Sequence, residues 1–340
     1  MTYQNLLRNK HLNNVMQIKA KYSAQSDDEL FLQELNQLLK PAHDAHLIEP
    51  ACEKHATIHV IGSPRSGTTL LTQLVASEFN VGFINNLSAA FWLAPAYGIR
   101  LARKLNRYQF ESNLRSDFGQ TNAIGEPHEF GRFWRELLGY SDMSEPCESH
   151  EKAIDWNRVK AVQASMLNAN DGPMLFKSFL VAWHLKKFSE VMEKSLFVWI
   201  RRDLLENALS LLKTRRDYAA SLDEWVGLRP KACSTNDFPT VHQQVAAQVY
   251  FVNSRIEQQL NDIDVSRWAL VDYAMLCSDP NSELDRIFLK AQGLDATIKR
   301  RSLSILAQRE SKPSNDADVG DIVKLQAAFD EIRDNQESVS

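Results

Sequence analysis

The chain predicts an α/β fold: an open, mainly parallel sheet flanked by helices, with a largely helical insertion and helical ends. Two observations carry this. Short apolar runs recur at Thr57 to Ile61, Leu196 to Ile200 and Trp268 to Val271. Each is followed by a turn and then by an amphipathic segment long enough for a helix. Strands alternating with helices build parallel sheets covered on both faces. In such sheets ligands bind outside the carboxyl ends of the strands.

The elements follow in order. Ser26-Asp27-Asp28-Glu29 reads as a capping box ahead of Leu30, Leu32, Leu35, Leu38 and Leu39, with a stop at Pro41, so the first fifty residues form a helical extension. Thr57 to Ile61 is a buried strand, Gly62 to Gly67 a glycine turn, and Thr68 to Phe79 a helix. Residues 85–170 are rich in aromatics and mostly helical by pattern, an insertion within a 51–320 α/β domain. Met174 to Phe176 is a strand ending at Lys177. Leu196 to Ile200 leaves through Arg201-Arg202-Asp203 into a helix from Leu204 to Leu212. Trp268 to Val271 is followed by a turn at Ser278-Asp279-Pro280 and a helix from Ser282 to Ala291. Asp321 to Asp334 is a closing helix, within a terminal segment 321–340.

Composition narrows the class. The 340 residues are 44% hydrophobic and 24% charged, ordinary values for a globular protein. A net charge of −4 argues against a general nucleic-acid binder but leaves room for a local basic pocket. Cys52, Cys147, Cys233 and Cys277 lie far apart, which suits reduced thiols in a cytoplasmic protein. No run approaches the ~20 apolar residues of a membrane span, and the first residues lack a signal-peptide core.

The glycine turn carries the chemistry. Residues 62–69 read GSPRSGTT, close to a nucleoside-triphosphate loop of the form G-x-x-x-x-G-K-[ST]. Thr68 occupies the lysine slot, and the one cation, Arg65, stands three residues earlier. Gly62 and Gly67 permit a tight turn, the amides of Ser66, Gly67, Thr68 and Thr69 turn inward, and the following helix adds a positive dipole end. Such a nest with a bidentate arginine accepts phosphate or sulfate without a metal. The same residues also suit a turn with no ligand. Lys177 and Arg201-Arg202 likewise follow strands directly, so three cationic strand ends converge on one crevice. Of these, Arg201 reads as a surface charge.

GSPRSGTTLL resembles the 5′-phosphosulfate loop, P-[KR]-[SA]-G-T-[TS], of sulfotransferases that use 3′-phosphoadenosine-5′-phosphosulfate (PAPS). Arg202 to Ser210 is similar to a second motif of that family, R-x-P-x-[DE]-x-x-x-S, with the arginine-to-serine spacing kept and Leu204 in place of proline. Val271 to Leu276, Asp279-Pro280, Leu284, Ile287 and Gly293-Leu294 resemble a third, and Leu175 to Ser178 a fourth. The four lie in family order between residues 58 and 294. The resemblance implies PAPS as co-substrate, no metal, and an acceptor hydroxyl. It implies that Arg65 and the amides and hydroxyls through Thr69 hold the phosphosulfate, and that Arg202 and Ser210 hold the 3′-phosphate. Lys177 joins them as a catalytic cation. Ser311 to Asn315 loosely resembles a late segment of the tyrosylprotein branch, which would bring Lys312 to the nucleotide.

Departures from the pattern matter as much. Leu70 stands where the soluble small-molecule enzymes carry an adenine-stacking tryptophan, as in the glycan- and protein-modifying branches. Phe179 stands where those soluble enzymes carry a catalytic histidine. Ile84 to Leu87 covers the place of the tyrosylprotein glutamate. The remaining base candidates lie in GEPHEFGRFW, residues 125–134. If a helix starts near Pro127, Glu126 and Glu129 share a face and His128 points elsewhere, which ranks Glu129 first, Glu126 second and His128 third. The same acids equally suit a plain helix N-terminus. Two alternatives stand beside the sulfotransferase reading. One is a nucleotide kinase or NTPase, with Asp272 as a magnesium ligand at the end of a strand. The other is a PAPS- or nucleotide-binding module without catalysis.

Overall fold

The computed structural model describes residues 17–19, 26–105, 114–233, 237–301 and 318–337. It contains a five-stranded parallel sheet in the order β2-β3-β1-β4-β5. The strands are β1 (Thr57–Ile61), β2 (Gly82–Phe83), β3 (Met174–Lys177), β4 (Ser195–Arg201) and β5 (Trp268–Asp272). Helices α1 (Ser26–Asp44), α2 (Thr68–Glu78) and α3 (Pro95–Lys104) precede α4 (Gly131–Leu138), α5 (Glu148–Ala153) and α6 (Trp156–Asn170). After β3 come α7 (Leu185–Val191), α8 (Leu204–Asp217), α9 (Val241–Leu260), α10 (Tyr273–Ser278), α11 (Pro280–Leu294) and α12 (Val319–Glu337). No helix among the described residues is long and apolar enough to cross a membrane.

β1 is central because every one of its residues is buried. Its side chains alternate between two cores, as the period of two demands. Ile58 and Val60 join Leu196, Val198 and Ile200 beneath α2 and α11. On the other face Ile61 meets Phe176, Phe197 and Trp199 under α4, α6 and α9. The chain leaves β1 toward β2 at one edge, returns through β3, and crosses β1 to β4. The crevice this reversal opens lies at the carboxyl end of β1. There Val60 is in register with Lys177, and Ile61 with Trp199.

Three sequence expectations need adjusting. α1 does not stop at Pro41 but continues to Asp44, with the Ala45 amide still donating to the Pro41 carbonyl at 3.0 Å. Proline in a last turn forfeits only its own amide bond, which the packed helix tolerates. Between α3 and α4, the described residues 114–130 are turns rather than helix. β2 was not foreseen, because two residues carry no readable periodicity.

Two buried histidines interrupt the apolar face. His59, fully buried in β1, lies 3.1 Å from the Ser178 hydroxyl and 3.0 Å from that of Thr57, ringed by Phe176, Phe188 and Phe197. Burial alone pulls its pKa down to about 3. His184 shares a 2.7 Å hydrogen bond with the Tyr140 hydroxyl, and burial, followed by the charges of His150 and Arg255, brings it to about 3 as well. Each folded value lies below the ~6.5 of an unfolded histidine. Their contribution is therefore whole above that pH and drains away as pH falls toward about 3. Urea unfolding between neutral and mildly acid pH should show these two groups adding up to ~2–3 kcal/mol of lost stability per pH unit. His59→Leu should remove about half of that slope, and an unchanged slope would show that His59 takes up its proton without unfolding.

Candidate active site

The turn after β1 is built by close packing. A Cβ on Gly62 would sit 2.5 Å from the Ser66 hydroxyl and 2.7 Å from the Ile200 carbonyl. Gly67 caps α2 at φ 108°, where a Cβ would fall 2.5 Å from the Tyr273 ring. Both glycines are required by space, and the second also by conformation. Arg65 itself is left-handed, with φ 69°. Asn207, fully buried on α8, ties the turn down: it accepts from the Ser63 hydroxyl at 2.5 Å and donates to the Pro64 carbonyl at 2.7 Å. The buried Ser66 hydroxyl has no hydrogen-bond partner among the described residues, an orphan polar atom inside the turn.

Cations gather around this turn. Lys177, at the end of β3, donates to the Thr69 hydroxyl at 2.9 Å, to Glu129 at 3.1 Å and to the Gly119 carbonyl at 3.4 Å. Burial lowers its pKa, the Glu129 carboxylate opposes that, and the positive charge of Arg65 adds to it. Arg65 donates to the Ser210 hydroxyl at 3.4 Å. Its own pKa is lowered by burial and by Arg202, against the pull of Glu129 and Tyr273. Arg202 pairs with Glu206 at 3.1 Å and lies over the Tyr273 ring at 4.6 Å. Arg201 is exposed beside Trp199. One cavity of about 660 Å³ is lined by Arg65, Thr68, Thr69, Lys177, Arg202 and Ser210. The structure thus brings together the strand-end cations named from sequence.

The three base candidates separate. Glu129 lines the cavity and makes the Lys177 ion pair, with its side chain 26% exposed. His128 also lines the cavity, and its Nδ1 accepts the Phe130 amide at 2.8 Å. Glu126 is 2% exposed and accepts the amides of Asn122 and Ala123, each at 3.0 Å, so its carboxylate closes a turn. The expected helix start near Pro127 is corrected to Gly131. Residues 126–128 give their backbone bonds to a neighbouring segment instead: the Asn86 amide reaches the Glu126 carbonyl at 3.1 Å, and the His128 amide reaches the Ile84 carbonyl at 2.7 Å. Ile84 to Leu87, where the tyrosylprotein branch has its glutamate, therefore runs alongside the segment that carries Glu129. Asp272 caps α10 by accepting the amides of Ala274 and Met275 at 2.9 and 3.1 Å. Lys312 lies outside the described residues.

Sequence reading missed several participants. Asn207 sat unremarked inside the arginine-to-serine motif. Tyr273 lies within the third motif, where no local signal marks its contact with Gly67. The turn at Asp117 to Gln120, closed by reciprocal 2.9 Å backbone bonds, delivers the Gly119 carbonyl to Lys177, and Phe118 at its tip stacks on Tyr218 at 5.0 Å. An isolated Gly119 between Phe118 and Gln120 was its single available signal.

A parallel sheet whose first strand ends in this turn defines an α/β protein of the phosphate-loop kind. The family model described as the sulfotransferase family matches residues 57–296, more than half of the chain, and the chain belongs to that family. Its general chemistry is therefore sulfuryl transfer. Sulfotransferase STF1 from Mycobacterium tuberculosis H37Rv is similar at 15% identity and a TM-score of 0.49, over 97% of this chain and 93% of that one. Sulfotransferase STF9 from Mycobacterium avium is similar at 13% and 0.46, over 88% and 72%. The sulfotransferase domain of the Synechococcus PCC 7002 olefin synthase is similar at 15% and 0.38, over 73% and 79%. A search of curated protein sequences returns no match.

The packing of the turn generates a stability test. Gly67→Ala must hold a side chain at positive φ and push into Tyr273, at a cost of ~1–3 kcal/mol for the strain alone. Urea unfolding should show a loss at least that large. A change within ~0.5 kcal/mol, the range of an ordinary surface substitution, would mean the turn relaxes freely.

Proposed function

We propose that the protein transfers the sulfuryl group of PAPS to an acceptor hydroxyl, with Glu129 as general base. The observation that carries this is the meeting of Thr69, Lys177 and Glu129 within hydrogen-bond distance at the end of the glycine turn. It joins an anion cradle, a buried cation and a carboxylate at one point. The cradle suits the co-substrate: Ser66 has an unspent buried hydroxyl, Arg65 a guanidinium, and the α2 terminus its amides.

In this reading the amides of Ser66 to Thr69 and the Arg65 guanidinium hold the 5′-phosphosulfate. Arg202 and Ser210 hold the 3′-phosphate, with Arg202 braced by Glu206 and Tyr273. Glu129 takes the acceptor proton as the acceptor oxygen bonds to sulfur. The bridging S–O bond breaks in line, and 3′,5′-ADP leaves with the electron pair. Lys177 stabilises the charge that develops on the bridging oxygen, a role that buried donors perform well because water does not screen them. Its bond to Glu129 meanwhile keeps the carboxylate aimed. Residues 85–170 supply the acceptor side of a 51–320 catalytic unit. Leu70 in place of an adenine-stacking tryptophan favours a carbohydrate or lipid-linked hydroxyl over a small phenol.

Nucleotide choice tests the two-anion arrangement. By calorimetry without added metal, 3′,5′-ADP should bind well over tenfold more tightly than 5′-AMP, because each charge-assisted bond to the extra phosphate contributes ~1.5–3 kcal/mol. Arg202→Ala should abolish most of that preference and spare 5′-AMP. Equal affinities in the unmodified protein would remove Arg202 and Ser210 from the nucleotide site.

The base is tested by Glu129→Gln, which keeps shape and removes proton affinity. Turnover of labelled PAPS should fall ~10²–10⁴-fold, with 3′,5′-ADP affinity nearly unchanged. Retention of more than a tenth of the rate would exclude Glu129, and His128→Asn would then be the variant expected to collapse. Tight 3′,5′-ADP binding with no turnover on any acceptor would support a non-catalytic binding module instead.

A further inference from the structure

The cavity holds a second positive patch that the nucleotide does not need. Arg132 and Arg135 stand three residues apart on α4, a spacing that puts both on one face of the helix, and both line the 660 Å³ cavity. Between them Phe133 and Trp134 turn inward and are buried, which fixes the helix in rotation. The Arg132 guanidinium lies over the Trp92 ring at 3.5 Å, and its Nε is buried with no hydrogen-bond partner among the described residues. Among the described residues neither guanidinium makes an ion pair. Glu136 and Glu29 act on Arg132 through space, and Glu136 on Arg135, without reaching contact distance. Burial lowers the Arg132 pKa to about 10, so it remains charged at neutral pH.

A half-buried guanidinium with an unmet donor, as at Arg132, is costly unless a ligand anion answers it. The neighbouring charges of the two patches differ. The charges acting on Arg65 are Arg202, Glu129 and Tyr273, whereas those acting on Arg132 are Glu136, Glu29 and Arg135. Phe179 and Met143 line the same cavity and offer apolar surface.

Building on the sulfuryl-transfer reading, we propose that the acceptor is itself an anion: an oxyanion group held by Arg132 and Arg135, on a molecule whose hydroxyl lies at Glu129. The carboxylate of an acidic sugar or lipid and a phosphate ester share this chemistry. A planar guanidinium pair binds either one bidentately.

The test uses the full chain saturated with 3′,5′-ADP, so that Arg65 and Arg202 are occupied. Calorimetry then compares ω-hydroxycarboxylates of increasing chain length, their methyl esters and the matching ω-hydroxyalkyl phosphates. At the best length an anionic probe should bind at least ~10-fold more tightly than its ester, a difference of about 1.4 kcal/mol. Whether carboxylate or phosphate leads identifies the group. Arg135→Gln and Arg132→Gln should each cut the preference to ~3-fold or less, well below that tenfold step, with 3′,5′-ADP affinity kept as the sign of an intact fold. Arg135→Gln is the safer variant, since Arg132 also packs on Trp92. Equal binding of acids and esters at every length, or a preference that survives in the double variant, would overturn the proposal. Failure of the unmodified protein to bind 3′,5′-ADP would overturn the sulfuryl-transfer reading instead. The acid-over-ester preference and its loss in the double variant would still decide the anion subsite.

Discussion

The structure depends on one constraint: the turn after β1 must present its amides inward while packing against three other elements. Gly62 abuts the Ile200 carbonyl of β4, Gly67 abuts Tyr273 at the start of α10, and Asn207 of α8 grips Ser63 and Pro64. None of these contacts is local in sequence. The parallel sheet makes them possible by bringing the carboxyl ends of β1, β3 and β4 to one edge, so that each following loop faces the same crevice. A turn held by backbone and side chain from three directions loses little freedom when an anion enters, which is the energetic meaning of preorganisation.

Charge balance follows from that geometry. Arg65, Lys177 and Arg202 share one cavity with few answering carboxylates, and burial works against the charged forms of Arg65 and Lys177. Such an arrangement costs stability in the free protein and returns it when a multiply charged ligand arrives. Glu129 is the exception, a carboxylate that opposes the loss of charge at Lys177, and Glu206 orients Arg202. The proposed acceptor side repeats the theme with Arg132 and Arg135. Two groups of cations line one cavity, and in the proposed arrangement a hydroxyl between two held anions is kept in register for transfer.

The segment around residues 117–131 shows why the site is more than a loop motif. Its backbone pairs with Ile84 to Leu87 and with itself, leaving no regular helix until Gly131. Irregular backbone lets Gly119 offer a carbonyl to Lys177 and lets Glu129 turn toward the same amine. A helix begun at Pro127 would have committed the carbonyls of the following turn to intrahelical bonds and removed this freedom.

The amino-acid sequence alone determined the alternation of strands and helices, the glycine turn with Arg65, and the strand-end cations Lys177 and Arg202, because each is written in contiguous residues. Periodicity and turn chemistry are local signals, and a parallel sheet converts them into convergence without further information. Only the tertiary structure decided which carboxylate faces Lys177. Glu126 and Glu129 stand three apart and look equivalent in sequence, but the pairing with Ile84 to Leu87 turns the first toward the amides of Asn122 and Ala123 and leaves the second on the amine. The same holds for Asn207 on the turn, Tyr273 beneath Gly67, and the unanswered guanidinium groups of α4. Their partners lie in distant segments, and the energy of a buried hydrogen bond or an unmet charge depends on what the fold brings within a few ångströms, which no local pattern encodes.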